Sequence, residues 1–359
     1  MSATNVQLKV NGMIYAGWEE VSVRQSIRAV SGSFNISLTD QWDVNSQPWP
    51  LVPGDECKLL IAGQTVIVGF VDDVDTDVDA NAKKIRVAGR DYTADIVDCS
   101  AVYPTGSFNT PMGLLQLAKV LCKPYTVNVS SNVDLSTPLA SNPAVNEGET
   151  VFQVLDRGAK ECGVLMISDG AGGILFTRSG QKSAGYALQQ GVNLKSFGSR
   201  YTQKERYSSY VVKPQMSFDH ASPGGSPSIT GTATDSQIAR FRRLTIAVDP
   251  ENMQISATSR AQWEASTRAG KSQPVYGTIV GFTKPNGDLW AVNELVPVKI
   301  PLLRINQELL IEGLTFSYGP SGSLTSFELV RPDAYLLQPL NNKQDLLRPL
   351  VLKESGNFS

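Results

Sequence analysis

The stretch KIRVAGRDYTADIVDCSAVY, Lys84–Tyr103, decides the fold class. Ile85 and Val87 alternate with Lys84 and Arg86, the period-2 pattern of a half-buried strand. Gly89 is expected to break that strand. Arg90 and Asp91 then sit in the turn, as a structural ion pair or a turn cap. Thr93 to Cys99 suits a short helical segment with Ile96 and Val97 facing a core. A strand, a Gly-Arg-Asp corner and an apolar cover together make the closing seam of a β domain. Catalysis by Arg90 and Asp91 would need partners that the neighbouring sequence does not supply.

Upstream, Val6, Leu8 and Val10 alternate with polar residues and run into Asn11-Gly12, a strong hairpin signal because both turn residues need positive φ. Val21 and Val23, then Phe34, Ile36 and Leu38, begin further strands. Gln41–Pro53 is a Trp- and Pro-rich loop, and Lys58–Ile61 and Thr65–Val71 are strands turning at Gly63. Residues 1–98 therefore read as a small antiparallel barrel or sandwich. Asp72, Asp73, Asp75, Asp77 and Asp79 form an acidic run. Its D-x-D-x-D spacing opens a calcium loop, but Val78 stands where that loop needs Gly and Lys84 where it needs a bidentate acid. A solvated hairpin arm able to touch a neighbouring subunit fits better, with Asp73, Asp75 and Asp77 on one face.

Downstream, residues 99–190 read as a small α+β domain. Thr110-Pro111 is a helix start, with Leu114, Leu117, Ala118 and Leu121 on one face and Pro124 as the stop. Thr150 with Gln153 is a capping box for a second helix, whose stripe is Phe152, Leu155, Ala159 and Cys162 and whose end is Gly163. Val164–Ile167 and Ile174–Thr177 pair around Asp169-Gly170, a hairpin tip rather than a phosphate loop. Residues 191–335 read as a second barrel with an insertion at about 219–275. In it are the strand Ser208–Lys213, the Ala221–Ser228 Pro/Gly/Ser loop, Arg240, Arg242 and Arg243 around Phe241, and a helix over Ala257–Ala269. The arginines suit a solvated or interface face better than a nucleic-acid track.

From Asn293 the pattern of residues 53–92 recurs. VIVGFVDD compares with LIEGLTFS and VAGRDYTADI with LVRPDAYLL, so that Arg331 and Asp333 repeat the Arg/Asp corner. The tail, residues 336–359, is rich in leucine, Leu346, Leu347 and Leu350 among them. So much apolar content needs cover, either from its own barrel or from a partner.

The 359 residues exceed one ordinary core. A net charge of −2 offers no basic field for polyanions. The cysteines Cys57, Cys99, Cys122 and Cys162 form no C-x-x-C pair and read as buried free thiols. The single histidine, His220, would have to carry any metal site or triad alone. The N-terminus has no signal-peptide pattern, and the most apolar stretch, Leu59–Val71, is too short to span a bilayer. Glu147 and Glu149 are the tempting pair for a cell-wall hydrolase. They precede a capped helix, where Glu149 favours the positive end.

GRDYTADIVDCSAVY, with ETVFQVLDRGAKECGVLMISD (Glu149–Asp169) and GTATDSQIARFR (Gly231–Arg242), resembles the baseplate hub proteins of Mu-like contractile-tailed bacteriophages. The blocks follow in order over most of the chain. The resemblance implies a mainly β fold with α+β parts: two tail-tube-like antiparallel β-barrels per chain plus a small α+β domain. It implies a structural virion protein, made in the host cytoplasm, without catalytic residues, cofactor or membrane insertion. The implied assembly is a homotrimer whose six similar units match a six-fold tail tube on one face and a three-fold central spike on the other. The tape-measure protein and baseplate wedge proteins are the further implied partners, and DNA passes through a neutral or acidic lumen without specific binding. The same fold serves spike hubs of contractile secretion systems, which usually continue into a spike; here the spike is expected to be a separate chain.

Overall fold

The computed structural model describes residues 6–40, 50–79, 83–103, 112–139, 145–214, 230–248 and 256–336. Residues 41–49 of the Trp/Pro-rich loop, Thr110-Pro111, His220, the 221–228 loop, and Leu346, Leu347 and Leu350 lie outside the described residues. The chain divides into two compact units. One holds the described residues up to Glu205 and from Ser266 onward, and the other is Arg206–Ala265.

The first half of the larger unit is β1 (Val6–Val10), β2 (Met13–Tyr15), β3 (Glu20–Ser26), β4 (Ala29–Asp40), β5 (Glu56–Ile61), β6 (Gln64–Val78), β7 (Lys83–Asp91) and the helix α1 (Thr93–Asp98). Its strands lie in the order β3-β4-β7-β6-β5-β1-β2, all antiparallel. Asn11 and Gly12 take φ of 49° and 79°, so β1 and β2 turn as the Asn-Gly signal requires. Gly89 does not break its strand: β7 continues through it to Asp91. A Cβ at Gly89 would lie 2.3 Å from the Phe70 carbonyl oxygen and 2.7 Å from the Phe34 ring. The glycine lets the strands approach, which is its other role in a sheet.

The α+β layer follows, with α2 (Leu114–Cys122), β8 (Val129–Ser131), α3 (Val151–Cys162), β9 (Leu165–Ser168) and β10 (Ile174–Thr177), its sheet ordered β8-β10-β9. The first of these helices begins at Leu114 after Gly113, later than the Thr110-Pro111 signal suggests. Its face of Leu114, Leu117, Ala118 and Leu121 is buried as expected. Thr150 and Gln153 form the capping box, and Gly163 ends α3 at φ 61°. The buried stripe of α3 is Val151, Val154, Leu155, Gly158 and Ala159, so Phe152 and Cys162 sit at its margin.

The second half adds β11 (Lys182–Ser183), β12 (Leu188–Gln189) and β13 (Leu194–Ser199). The smaller unit carries β14 (Ser209–Pro214), β15 (Gly231–Thr234) and β16 (Arg243–Val248), with α4 (Ala257–Lys271) leading out of it. Tyr210, Val212, Ala257 and Ala261 make its core. The chain then completes β17 (Val275–Val280), β18 (Glu294–Ile300), β19 (Ile305–Gly319) and β20 (Gly322–Val330).

The order β3-β4-β7-β6-β5 recurs as β13-β17-β20-β19-β18. The matching strands β6 and β19 have 15 residues each, and β7 and β20 have nine each. Both hairpins skip one residue, between Val71 and Asp73 and between Ile311 and Gly313. The skipped residues, Asp72 and Glu312, are therefore equivalent bulges. This alignment corrects the reading by sequence likeness, which sets Val66 against Leu310; the ladders set Phe70 there. It also sets Asp91 against Arg331, so the two Arg/Asp corners are not superposed. The two barrel repeats fuse where β19 pairs antiparallel with β3, from Gly313–Ser26 to Tyr318–Val21. One fourteen-stranded sheet results, and its inner side closes on a shared core that includes Leu8, Ile36, Ile85, Phe316 and Phe327.

Candidate assembly surface

Alternation along the fused sheet buries one face and leaves the other polar. Facing away from the core, one row runs across the ladders through Ser33, Arg24, Thr315, Ser326, Thr278 and Ser196. Thr278 and Ser326 are joined by a 3.1 Å hydroxyl–hydroxyl bond. Among the basic groups on this face, Arg24 is 3.2 Å from Glu328, Arg86 is 3.8 Å from Asp75 and Lys84 is 4.0 Å from Glu20, while Lys9 and Lys58 stand opposite each other across β1 and β5. Asp73 and Asp77 add further negative charge along β6. Around β3, β4, β6 and β7 the face is rich in hydroxyls and neutral to acidic.

Arg90 and Asp91 do not pair with each other. The Arg90 guanidinium bridges Asp72 at 2.7 Å and Asp98 at 2.8 Å, tying the β6 bulge to α1, and these carboxylates hold it still more firmly protonated. Asp91 is 1% exposed and acts as a cap. It accepts from the Gly32 N–H at 2.8 Å, the Thr93 N–H at 3.1 Å, the Thr93 hydroxyl and the Ser168 hydroxyl at 2.8 Å. Those donors lie on β4, α1 and β9, so one carboxylate fastens the first barrel repeat to the α+β layer. Burial is the larger influence on Asp91 and raises its pKa, while these hydrogen bonds oppose the rise. Asp73, Asp75 and Asp77 lie on the β6–β7 arm, exposed, as the hairpin reading requires. Arg331 and Asp333 pair locally over the turn that follows β20.

Several polar contacts escape the sequence reading. Glu312, at the second bulge, is 1% exposed. Its carboxylate pairs with Arg28 and accepts from the Tyr335 hydroxyl at 2.6 Å, and its backbone oxygen takes the Ile27 N–H at 2.8 Å. The signal was present: one acid inside the apolar run LLIEGLTF. Lys284 is buried against Glu294 at 2.8 Å and lies 5.7 Å from the centre of the Trp290 ring. In the smaller unit, Arg206 reaches Asp235 at 2.6 Å and Gln237 at 2.8 Å. There Phe241 is 85% exposed, and Arg242 stacks 5.0 Å from the centre of the Tyr207 ring. Cys57 and Cys122 are buried, and burial pushes both thiols up to about 12. Cys99 and Cys162 are only partly buried, against expectation, because they lie at the margins of their helices. Glu149 accepts from the Asn146 N–H at 3.1 Å and from Arg157, a helix-start arrangement. Among the described residues no helix is long and apolar enough to cross a membrane.

Comparison with known proteins gives a consistent result. Residues 5–91 match the family described as Mu phage baseplate assembly protein GpP-like, N-terminal. Residues 93–178 match the baseplate hub protein gp44-like second domain, and residues 253–338 match the fourth domain of the Mu phage baseplate assembly protein GpP. The chain is 33% identical over 352 residues to the baseplate hub protein gp44 of Escherichia phage Mu, covering 95% of this chain and 91% of the relative. A 43 kDa tail protein from prophage MuSo2 of Shewanella oneidensis superposes with a TM-score of 0.82 at 35% identity, covering 93% of this chain and 99% of that one. A tail protein from Neisseria meningitidis MC58 shares the fold, with a TM-score of 0.76 at 20% identity over 92% of this chain and 98% of that one.

Proposed function

The chain belongs to the family of Mu-like phage baseplate hub proteins, and from that premise we propose that it works as a homotrimeric ring joining a hexameric tail tube to a trimeric central spike. The observation that carries this reading is the duplicated strand order within one chain, β3-β4-β7-β6-β5 and β13-β17-β20-β19-β18. Two equivalent units per chain become six in a trimer. One face of such a ring presents a near-six-fold repeat and the other a true three-fold. The tape-measure protein and the baseplate wedges would contact the same ring in the virion tail.

The polar face of the fused sheet suits a lumen through which DNA passes during ejection. A continuous basic lining would hold DNA by counterion release. Here Arg24, Lys84 and Arg86 on that face stand beside carboxylates, and hydroxyls fill the row between them. The role is structural, and purified protein is expected to leave the turbidity of a cell-wall suspension unchanged.

Light scattering over a range of concentrations tests the ring. A particle of about three times 38.8 kDa alone, or a complex with the added spike that contains three copies of this chain, is the expected result. A monomer that persists in both conditions overturns the proposal.

A further inference from the structure

Within the chain, the edge of the first repeat, β3, is covered by the distal half of the second repeat's long strand, residues 313–318 of β19. The equivalent edge in the second repeat is β13, the last strand of the sheet, with β17 on one side only. The equivalent of residues 313–318 is Asp73–Val78 of β6. On that strand β5 covers only Gln64–Phe70, and the loop at Asp55 covers Val71. Among the described residues, no strand pairs with the outer edge of either segment. The same joint that fuses the two repeats is thus present a second time, with its halves at opposite ends of one sheet.

We propose that residues 197–200, at the end of β13 in one copy, pair antiparallel with residues 75–78 of β6 in a second copy, repeating the β3–β19 joint between chains. This rests on the trimer reading above and names the surface through which the copies meet. The register follows from the two ladders. Phe316–Val23 becomes Thr76–Ser199, Tyr318–Val21 becomes Val78–Phe197, and Thr315–Arg24 becomes Asp75–Arg200. The side chains suit that register. Val78 is 51% exposed in the single chain, while its counterpart Tyr318 packs on the core. Phe197 already lies at the margin of that core, ready to cover it. On the opposite face an acidic arm bearing Asp73, Asp75 and Asp77 meets the exposed Arg200, an opposite-charge cross-strand pair. The occupant is a second copy of this chain because the missing partner of each edge is a segment the chain itself possesses.

The test is a disulfide across the inferred register. Asp75→Cys and Arg200→Cys are placed together in the full chain, which is oxidised and run on a denaturing gel. Covalent dimers and closed trimers are expected, with at least about tenfold less cross-linking in Asp75→Cys/Ser196→Cys, which is four residues out of register. A trimer by light scattering that cross-links in neither pair, or equally in both, overturns the pairing and leaves the trimer standing. A monomer under every condition overturns both. Should the variants fail to fold, hydrogen exchange on the unmodified protein decides. The amides of residues 75–78 and 197–200 are expected to slow at least about tenfold on assembly, and unchanged exchange in an assembled trimer overturns the pairing.

Discussion

Removing the Asp91 carboxylate tests whether one buried acid fastens three elements. In Asp91→Ala, the Gly32 and Thr93 N–H groups lose their acceptor. Both are fixed by the backbone and cannot turn elsewhere. The hydroxyls can: Thr93 Oγ1 lies 2.8 Å from the Val30 carbonyl oxygen and can donate there instead. Each buried N–H left unpaired costs about 1–3 kcal/mol, so the two together cost about 2–6 kcal/mol. Asp91→Asn keeps the shape but presents an amide NH2 to one of the two donors, and should cost about 1–3 kcal/mol. Urea unfolding followed by far-UV circular dichroism measures both. The pH dependence supplies a second check. Because burial raises the Asp91 pKa, the folded chain holds its proton to higher pH than the unfolded chain does. The stability this contributes is complete below the unfolded value and is lost as pH rises through the folded one. Wild type should therefore gain on Asp91→Asn as pH falls from about 7 to about 4. An Asp91→Ala variant within about 0.5 kcal/mol of wild type would refute the reasoning, since the donors would then have found water.

Other outcomes follow from single sites. Gly89→Ala drives a Cβ into the Phe70 carbonyl and the Phe34 ring, so it should cost about 3 kcal/mol or more, or reduce soluble yield, in the same unfolding assay. Thr150→Ala deletes the α3 cap and should cost about 1 kcal/mol, with Thr150→Ser retaining most of it. Cys57 and Cys122, their thiols pushed up to about 12, should resist a brief iodoacetamide pulse at pH 8 read by peptide mass, and should label fully once the chain is unfolded. Glu312→Gln keeps one acceptor for Tyr335 but loses the charge facing Arg28; a cost of about 1–3 kcal/mol is expected, and none would mean the pair is solvated.

Local signals transferred well where one residue type has one job. Asn11-Gly12, the Thr150/Gln153 box and Gly163 gave elements where the structure has them. Gly89 misled because glycine serves both chain reversal and close approach, and only the facing Phe34 and Phe70 tell these apart. The duplication was visible in the succession of strands but misaligned residue by residue. A repeated strand preserves the side of the sheet each residue faces rather than its identity, so Asp72 and Glu312 correspond although Gly69 falls against Leu309 and Asp73 against Gly313. The acidic arm was legible as an arm. The joint between β3 and β19 was not, because strands some 290 residues apart leave no local trace of their pairing.

That joint has a kinetic consequence. A ring assembled from six free units must form all but its closing contact by collision, and its yield falls steeply on dilution. Linking two units in one polypeptide turns half of those contacts into folding events whose rate is independent of concentration, with a high effective local concentration in place of a bulk one. Two bimolecular encounters then complete the ring where five were needed. In the trimeric ring proposed above, assembly would thereby reach completion at lower protein concentration.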